Sequence, residues 1–226
     1  MKKFLTFLIL LSQIVLAQST NADKILEKVK MNFDVIQDYV VDVKGKVDFP
    51  DAVIPELQAK IYFKKPDKFK VESKSFMLLP KQAIRFGPDM LFKQDFSSVY
   101  IGETEIDNIK HFIIKVIPNN PESEEVVTLW INSSNYTIRK LSGINSRSGK
   151  IEAEFFNKLI DGKYWLPEKL KVDFEIKNLR MIRQRKLDKD LKILDDSPKS
   201  GSIILNYTNY IVNRGIDDKI FTEKER

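Results

Sequence analysis

The residue types that most often carry out chemistry in proteins are scarce in this sequence. Its 226 residues include one histidine, His111, and no cysteine. His111 begins an apolar run from Phe112 to Ile114, a position that favours a structural or surface role. A Ser-His-Asp triad would have to use this histidine, and no G-x-S-x-G nucleophile elbow is present. We therefore expect no catalytic residue, and we expect that the protein is not an enzyme.

The residues and motifs that form metal and nucleotide sites are also scarce in this sequence. Zinc sites draw on several His or Cys ligands that lie close in space, and this chain offers a single His. It has no Walker loop and no G-x-G-x-x-G, and its eight glycines are scattered. The many acidic residues leave a paired-carboxylate mechanism open by number alone. We expect no metal and no cofactor.

The first 17 residues have the pattern of a secretory signal peptide. Lys2 and Lys3 precede an apolar run that extends to Leu16, and Ala17 ends it with a small residue. The run is shorter than the roughly 20 residues that span a bilayer, although a short membrane anchor is the alternative. We predict cleavage near Ala17, a periplasmic location, and a single domain over residues 18–226. With no cysteine, the lipid anchor of lipoproteins is not expected.

The charge of the chain points away from nucleic acid. The formal net charge is +6, and removal of Lys2 and Lys3 with the signal peptide lowers it to +4. This mild basic excess fits proximity to an anionic membrane surface and is too small to indicate a nucleic-acid partner. Because the chain has no disulfides, its stability must come from a hydrophobic core.

One segment with apolar residues at helical spacing is followed by a long series of segments in which apolar and polar residues alternate. Residues Asn21 to Asp38 carry apolar side chains at helical spacing, which predicts an amphipathic helix. Beyond them apolar and polar residues alternate in about ten short segments, separated by polar turns such as Asp161-Gly162. The pattern predicts a mainly β fold of the α+β class. We expect an incomplete antiparallel β-barrel or strongly curved sheet with an N-terminal helix and lid segments.

Two segments interrupt this pattern. The apolar stretch from Phe76 to Ile84 contains Pro80 and is either a lid or short helix, or a buried connection. The stretch from Arg180 to Ser200 mixes basic and acidic residues, which is typical of a solvated loop. The role of its basic part, Arg180 to Lys192, is left open by the sequence.

Three short motifs resemble the LolA/LolB-like family of periplasmic lipoprotein carriers. The first is the initial helix running into a long strand, from Ile25 to Phe49. The second is the strand from Ile61 to Glu72, which contains basic residues, then Pro66, then an aromatic residue. The third is the hairpin from Leu129 to Leu141. The resemblance covers nearly the whole predicted mature chain in outline.

The resemblance implies both a fold and a function. Such proteins enclose an apolar cavity that takes the acyl chains of lipoproteins, delivered by an inner-membrane ABC transporter for transfer to an outer-membrane acceptor. In the carriers an Arg before the Pro holds a helical lid closed, and Lys65 occupies that position here, with weaker and less directional donors. Alternation identifies one apolar face of the sheet, although not which face encloses the ligand. It predicts these cavity-lining residues: Leu57, Ile61, Phe63, Phe69, Val71, Leu91, Leu129, Ile131, Val172 and Phe174.

These observations lead to one main hypothesis and two alternatives. The main one is a monomeric periplasmic carrier that binds lipoprotein acyl chains or other lipids for transfer to the outer membrane. One alternative is an RseB-like envelope-stress sensor or adaptor that binds a regulatory protein, with Arg180 to Lys192 as a docking segment. The other alternative is a cell-envelope hydrolase that uses a carboxylate.

Overall fold

The computed structural model describes residues 21–49, 54–73, 95–120, 125–145, 149–176 and 199–222. Within them, helix α1 covers residues 21–34, and ten strands and one helical turn follow. These are β1 (Asp38–Asp48), β2 (Leu57–Lys64), β3 (Lys68–Glu72), β4 (Phe96–Ile106), β5 (Ile109–Pro118), β6 (Glu125–Asn132), β7 (Ile138–Asn145), β8 (Gly149–Ile160), β9 (Tyr164–Ile176), β10 (Lys199–Val212) and α2 (Lys219–Thr222). No helix among these residues is long and apolar enough to cross a bilayer.

All ten described strands belong to one antiparallel sheet. Its order is β3-β2-β1-β10-β9-β8-β7-β6-β5-β4. Strands that follow each other in the chain therefore pair, except β3 and β4, and β10 also pairs with β1. Within the described ranges, β3 and β4 each pair on one side only, so the sheet is not closed into a barrel. The predicted mainly β, antiparallel fold with an N-terminal helix is confirmed.

Helix α1 reaches two strands that lie far apart in the sheet. Near its start, the Ser98 hydroxyl of β4 donates a hydrogen bond to the Asp23 carboxylate. Near its end, the Phe33 ring lies 5.6 Å from the Phe63 ring of β2. β2 and β4 are eight strand positions apart, about 38 Å in a flat sheet. Because Asp23 and Phe33 are separated by about 15 Å of helix, the sheet must curve around α1.

The contact between α1 and the sheet is apolar. Ala22, Ile25, Leu26 and Val29 recur at helical spacing and are all buried against residues of β5, β6 and β7. Each of the three larger side chains contributes about 2 kcal/mol on leaving water. One face of α1 therefore fills the concave side of this half of the sheet.

The two faces of the sheet differ in chemistry. We call the concave face, which contacts α1, the inner face, and the opposite face the outer face. On the outer face charged side chains pair across strands, as in Arg139 with Glu154 (2.9 Å) and along β9 in Lys171 with Asp173 (2.9 Å). The inner face of the half away from α1 carries a buried aliphatic cluster: Val41, Val43, Leu57, Ile61, Ala153, Leu170, Val172, Ile203 and Leu205.

Helix α1 ends at residue 34, four residues before the limit predicted at Asp38. The cause is Asn213, which follows β10. Its side-chain oxygen accepts hydrogen bonds from the backbone N–H groups of Gln37 (2.7 Å) and Asp38 (3.2 Å). Its side-chain nitrogen donates to the carbonyl of Val35 (2.8 Å) and to the Tyr164 hydroxyl (3.2 Å). These bonds stabilise the turn into β1 in place of further helix.

The chain beyond β10 extends the same polar network. The carboxylate of Asp38 accepts the backbone N–H of Gly215 at 3.2 Å. The Lys64 ammonium donates to the carbonyl of Ile216 (2.8 Å) and to the Asp218 carboxylate (2.6 Å). The α1–β1 junction, the end of β10 and the end of β2 are thus joined by hydrogen bonds.

Turn chemistry predicted from the sequence is confirmed at Asp161-Gly162. These residues are the two central positions of the turn from β8 to β9, which is closed by a hydrogen bond from the Lys163 N–H to the Ile160 carbonyl (3.0 Å), and both have positive φ, 51° and 63°. A two-residue hairpin turn of this kind requires positive φ at both central positions, which glycine adopts without steric cost. The segments Phe76–Ile84 and Arg180–Lys192 lie outside the described residues.

We expect Asn213→Ala to lower the free energy of unfolding by about 3 kcal/mol. The substitution removes the four hydrogen bonds at the α1–β1 junction. It also places alanine at a φ of 54°, which costs about 1 kcal/mol. Urea unfolding followed by circular dichroism measures the change.

Asn209→Ala is the matched control. Asn209 has a φ of 56°, and its side chain makes one exposed hydrogen bond, to Asp42 at 3.0 Å. We expect a loss of about 1 kcal/mol, mostly from the backbone. Equal losses in the two variants would contradict a structural role for the Asn213 side chain.

Candidate functional site

The inner face is less completely buried on the side of the sheet away from α1. On β2, Leu57 and Ile61 are 0% and 2% exposed, yet Ala59 between them is only half-buried. Other inward-facing residues of this region are also half-buried, among them Val47, Phe69, Val71, Ile151, Phe155 and Phe174. A solid core would bury side chains at these positions. We call this part of the inner face the inner groove.

Nine of the ten predicted cavity-lining residues lie within the described ranges, and all nine are on the inner face. Leu91 lies outside those ranges. Phe63 packs with Ile36 in a separate buried cluster. The following residues belong to the inner groove or to the aliphatic cluster beneath it: Leu57, Ile61, Phe69, Val71, Val172 and Phe174.

The remaining two residues have a different environment. Leu129 and Ile131 of β6 are both fully buried, and they pack in the cluster that includes Leu26 and Val29 of α1. Alternation placed them on the correct face of the sheet. It could not show that α1 covers that half of the face, since which half a helix covers depends on tertiary packing.

Three tyrosines of the inner groove were missed at the sequence level. Tyr39 of β1 and Tyr207 and Tyr210 of β10 lie together: the rings of Tyr39 and Tyr210 are 6.0 Å apart, and those of Tyr207 and Tyr210 are 6.5 Å apart. Tyr207 and Tyr210 are three residues apart, so strict alternation would place them on opposite faces. Asn209, with its positive φ, interrupts the alternation and brings both rings to the inner face.

The environment of these phenols is strongly apolar. Burial raises the pKa of Tyr207 and of Tyr210 above the ordinary value, and the neighbouring Tyr39 phenol adds to both shifts. The Tyr210 hydroxyl donates to the carbonyl of Pro167 at 2.8 Å. The Tyr207 hydroxyl makes no hydrogen bond with any described residue. The described part of the groove therefore combines apolar walls with a phenol hydroxyl that no described residue engages.

An aromatic pair lies where β1, β9 and β10 meet at one end of the groove. The rings of Phe49 and Phe174 are stacked with centroids 6.1 Å apart. The Phe174 ring lies against Gly201 of β10, where an added Cβ would come within 2.6 Å of the ring and 2.8 Å of the Asp48 carbonyl. Glycine at position 201 allows this close approach of ring and backbone.

Lys65, predicted to contact a lid, contacts the end of α1. Its ammonium donates to the carbonyls of Phe33 (3.2 Å) and Asp34 (3.0 Å) and lies 5.1 Å from the centre of the Phe33 ring. Hydrogen bonds from Lys30 and then from Lys65 lower the pKa of the Asp34 carboxyl, against a raising effect of burial. Lys65 thus caps the C-terminal end of the helix. A role in opening the groove stays a prediction.

His111 occupies a buried position in β5. It is 1% exposed, and its Nδ1 lies 2.7 Å from the carbonyl of Ile109, so Nδ1 carries the proton. Its Nε2 is buried and has no hydrogen-bond partner within the described residues. Among the same residues, no group of three or more His, Asp or Glu side chains could hold a metal ion.

Sequence comparisons give no relatives for this chain. No protein-family model matches it, and no curated protein sequence matches it either. Solved structures do match the fold. A DUF1329 family protein from Desulfovibrio piger superposes with a TM-score of 0.64 at 13% identity, over 90% of this chain and 97% of that one.

Two further structures share the architecture. An outer membrane lipoprotein-sorting protein domain from Vibrio parahaemolyticus has a TM-score of 0.58 at 12% identity, over 88% of this chain and 97% of that one. A LolA superfamily protein from Nitrosomonas europaea has a TM-score of 0.55 at 15% identity, over 89% and 97%. The chain therefore has a LolA-like fold, as the sequence resemblance predicted. At these identities the likeness concerns the fold alone.

We expect the half-buried phenols of Tyr207 and Tyr210 to make the protein sensitive to alkali. Tyr207 and Tyr210 keep their protons more tightly when folded, so the free energy of unfolding falls as the pH rises above about 10, the pKa of an unfolded tyrosine. By pH 11 the loss is about 1 kcal/mol for each phenol. Urea unfolding between pH 8 and 11 should show a smaller decline in a variant carrying Tyr207→Phe and Tyr210→Phe. An identical decline in both proteins would show that Tyr207 and Tyr210 do not cause the alkali sensitivity.

We expect Lys65→Met to loosen the end of α1. Loss of the ammonium leaves the carbonyls of Phe33 and Asp34 without their side-chain donor. Hydrogen exchange of the backbone amides in residues 31–36 should then accelerate by about tenfold. Lys68→Met is the control, since Lys68 pairs with exposed Asp218 (2.6 Å) and its loss should leave this exchange unchanged. Unchanged hydrogen exchange in the Lys65 variant would show that Lys65 does not stabilise the end of α1.

Proposed function

We propose that this protein is a carrier that binds the acyl chains of lipoproteins or of other lipids in its inner groove. The observation that carries the proposal is the half-buried state of inward-facing apolar side chains on the side of the sheet away from α1. Ala59 is the clearest case, because its neighbours on the same face of β2 are fully buried. An apolar surface that is concave and still partly exposed favours an apolar ligand.

The energetics of such a ligand are favourable. Each methylene buried in an apolar groove contributes about 0.8 kcal/mol, so a long acyl chain gains on the order of 10 kcal/mol before the entropic cost of binding. No catalytic group is required for this function. The outward-facing ion pairs of β7, β8 and β9 keep charge away from the groove.

Location and partners follow from the same proposal. The signal-peptide pattern of residues 1–17 supports export to the periplasm and a single mature domain over residues 18–226. Transfer to the outer membrane would involve an inner-membrane ABC transporter and an outer-membrane acceptor, as in the resemblance noted above. One structural neighbour is named for outer membrane lipoprotein sorting. The sensor and hydrolase alternatives stay predictions, since no contact described above favours either.

We expect Ala59→Trp to block the groove. Ala59 lies opposite Val43 on the inner face, and an indole at this position would occupy the space of an acyl chain. Displacement of a fluorescent fatty acid should show an affinity at least about tenfold weaker than that of the unmodified protein.

Lys60→Trp supplies the matched control on the same strand. Lys60 points to the outer face, where it pairs loosely with Asp42 at 3.5 Å. The same indole on this side should leave fatty-acid binding unchanged. If the unmodified protein binds no acyl probe, or if both variants weaken binding equally, the proposed function is wrong.

A further inference from the structure

The Tyr207 hydroxyl is a polar group on an otherwise apolar surface. Tyr207 pairs with Val43 of β1 and packs on the aliphatic cluster that includes Leu205 and Leu170. Its ring is half-buried and stacks on that of Tyr210. The hydroxyl has no hydrogen-bond partner among the described residues. A phenylalanine would satisfy the packing equally well.

This hydroxyl is not among the buried polar atoms of the described residues that lack a hydrogen-bond partner, so it is still accessible from the groove. A ligand that covers it must replace its hydrogen bond to water, which a carbonyl oxygen can do and an alkyl chain cannot. The two other tyrosines of the groove are used differently: the Tyr210 hydroxyl donates to Pro167, and the Tyr39 ring stacks on Phe63 at 5.1 Å. The Tyr207 hydroxyl is therefore the donor in this group that is available to a molecule in the groove.

We propose that the Tyr207 hydroxyl donates a hydrogen bond to a carbonyl oxygen of the bound acyl group. This inference rests on the proposed function and adds a specificity to it. Ligands whose chain carries an ester or amide carbonyl are preferred over chains of the same length without one. Apolar walls accept any alkyl chain, whereas a positioned donor distinguishes chains by their polar group.

The register places this donor where a ligand would pass. Tyr207, Val43 and Ala59 form one row across β10, β1 and β2 on the inner face. Val43 is 1% exposed, while Tyr207 and Ala59 on either side of it are half-buried. Two strand spacings, about 10 Å, separate Tyr207 from Ala59. The row lies near the middle of β1, about 17 Å from its end at Asp48.

The test compares an ester with the matching ether. Monopalmitoylglycerol and 1-O-hexadecylglycerol have chains of the same length, and only the first has a carbonyl. Displacement of a fluorescent fatty acid from the full-length mature protein measures both affinities. We expect the unmodified protein to prefer the ester by about three- to tenfold, and Tyr207→Phe to abolish this preference while leaving the affinity for the ether unchanged.

Tyr62→Phe is the control for the loss of a phenol hydroxyl outside the groove. Tyr62 lies between the inward-facing Ile61 and Phe63 on β2, so its ring is on the outer face, where its hydroxyl donates to Glu72 at 2.9 Å. Its loss should leave the ester preference intact. A preference that survives Tyr207→Phe, or an unmodified protein that binds ester and ether equally, overturns the inference and leaves the proposed function standing. If neither ligand binds, both fail together.

Acyl esters occur in lipoproteins and in free glycerolipids, and a third ligand distinguishes these sources. A dipalmitoylglyceryl-cysteinyl lipopeptide is compared with monopalmitoylglycerol in the same assay. In both cases Tyr207→Phe should weaken binding by about the same factor. The ester that binds more tightly identifies the source of the natural ligand. If Tyr207→Phe changes the affinity for neither ester, the inference is contradicted.

Discussion

The burial of one face of α1 in the concave side of the sheet is the contact on which the rest of the structure depends. Because a short helix contacts both β2 and β4, the ten described strands must bend around it. Without that bend, the inner face would be a flat apolar surface. The Asn213 side chain and the Lys65 ammonium fix the end of α1, so the helix and the curvature are held in place together.

The helix covers only part of the inner face, and this asymmetry produces the candidate site. Residues of β5, β6 and β7 are buried beneath α1, where they act as core. On the other side, the adjacent strands β3, β2, β1, β10, β9 and β8 form an aliphatic layer. Half-buried aromatic and small side chains pack on this layer. One sheet thus supplies both a core and a groove. The division between them follows the footprint of the helix.

Much of the fold follows from local sequence patterns. Alternating residues predicted the strands and their inner faces, and Asp161-Gly162 predicted a hairpin turn, because each of these signals depends on neighbours within a few residues. The tyrosine group was missed because Asn209 breaks the alternation between Tyr207 and Tyr210. The end of α1 was missed because its partner, Asn213, lies more than 170 residues away in the chain.

The sequence by itself determined a mainly β chain with an N-terminal amphipathic helix, one apolar face on each strand, and a chemistry without thiols or paired histidines. These properties depend on side-chain type and short-range spacing. Only the tertiary structure decided that β10 inserts between β1 and β9, which half of the inner face α1 covers, and which phenol is left without a partner. Those outcomes depend on contacts between residues distant in the chain, whose energies no local pattern contains.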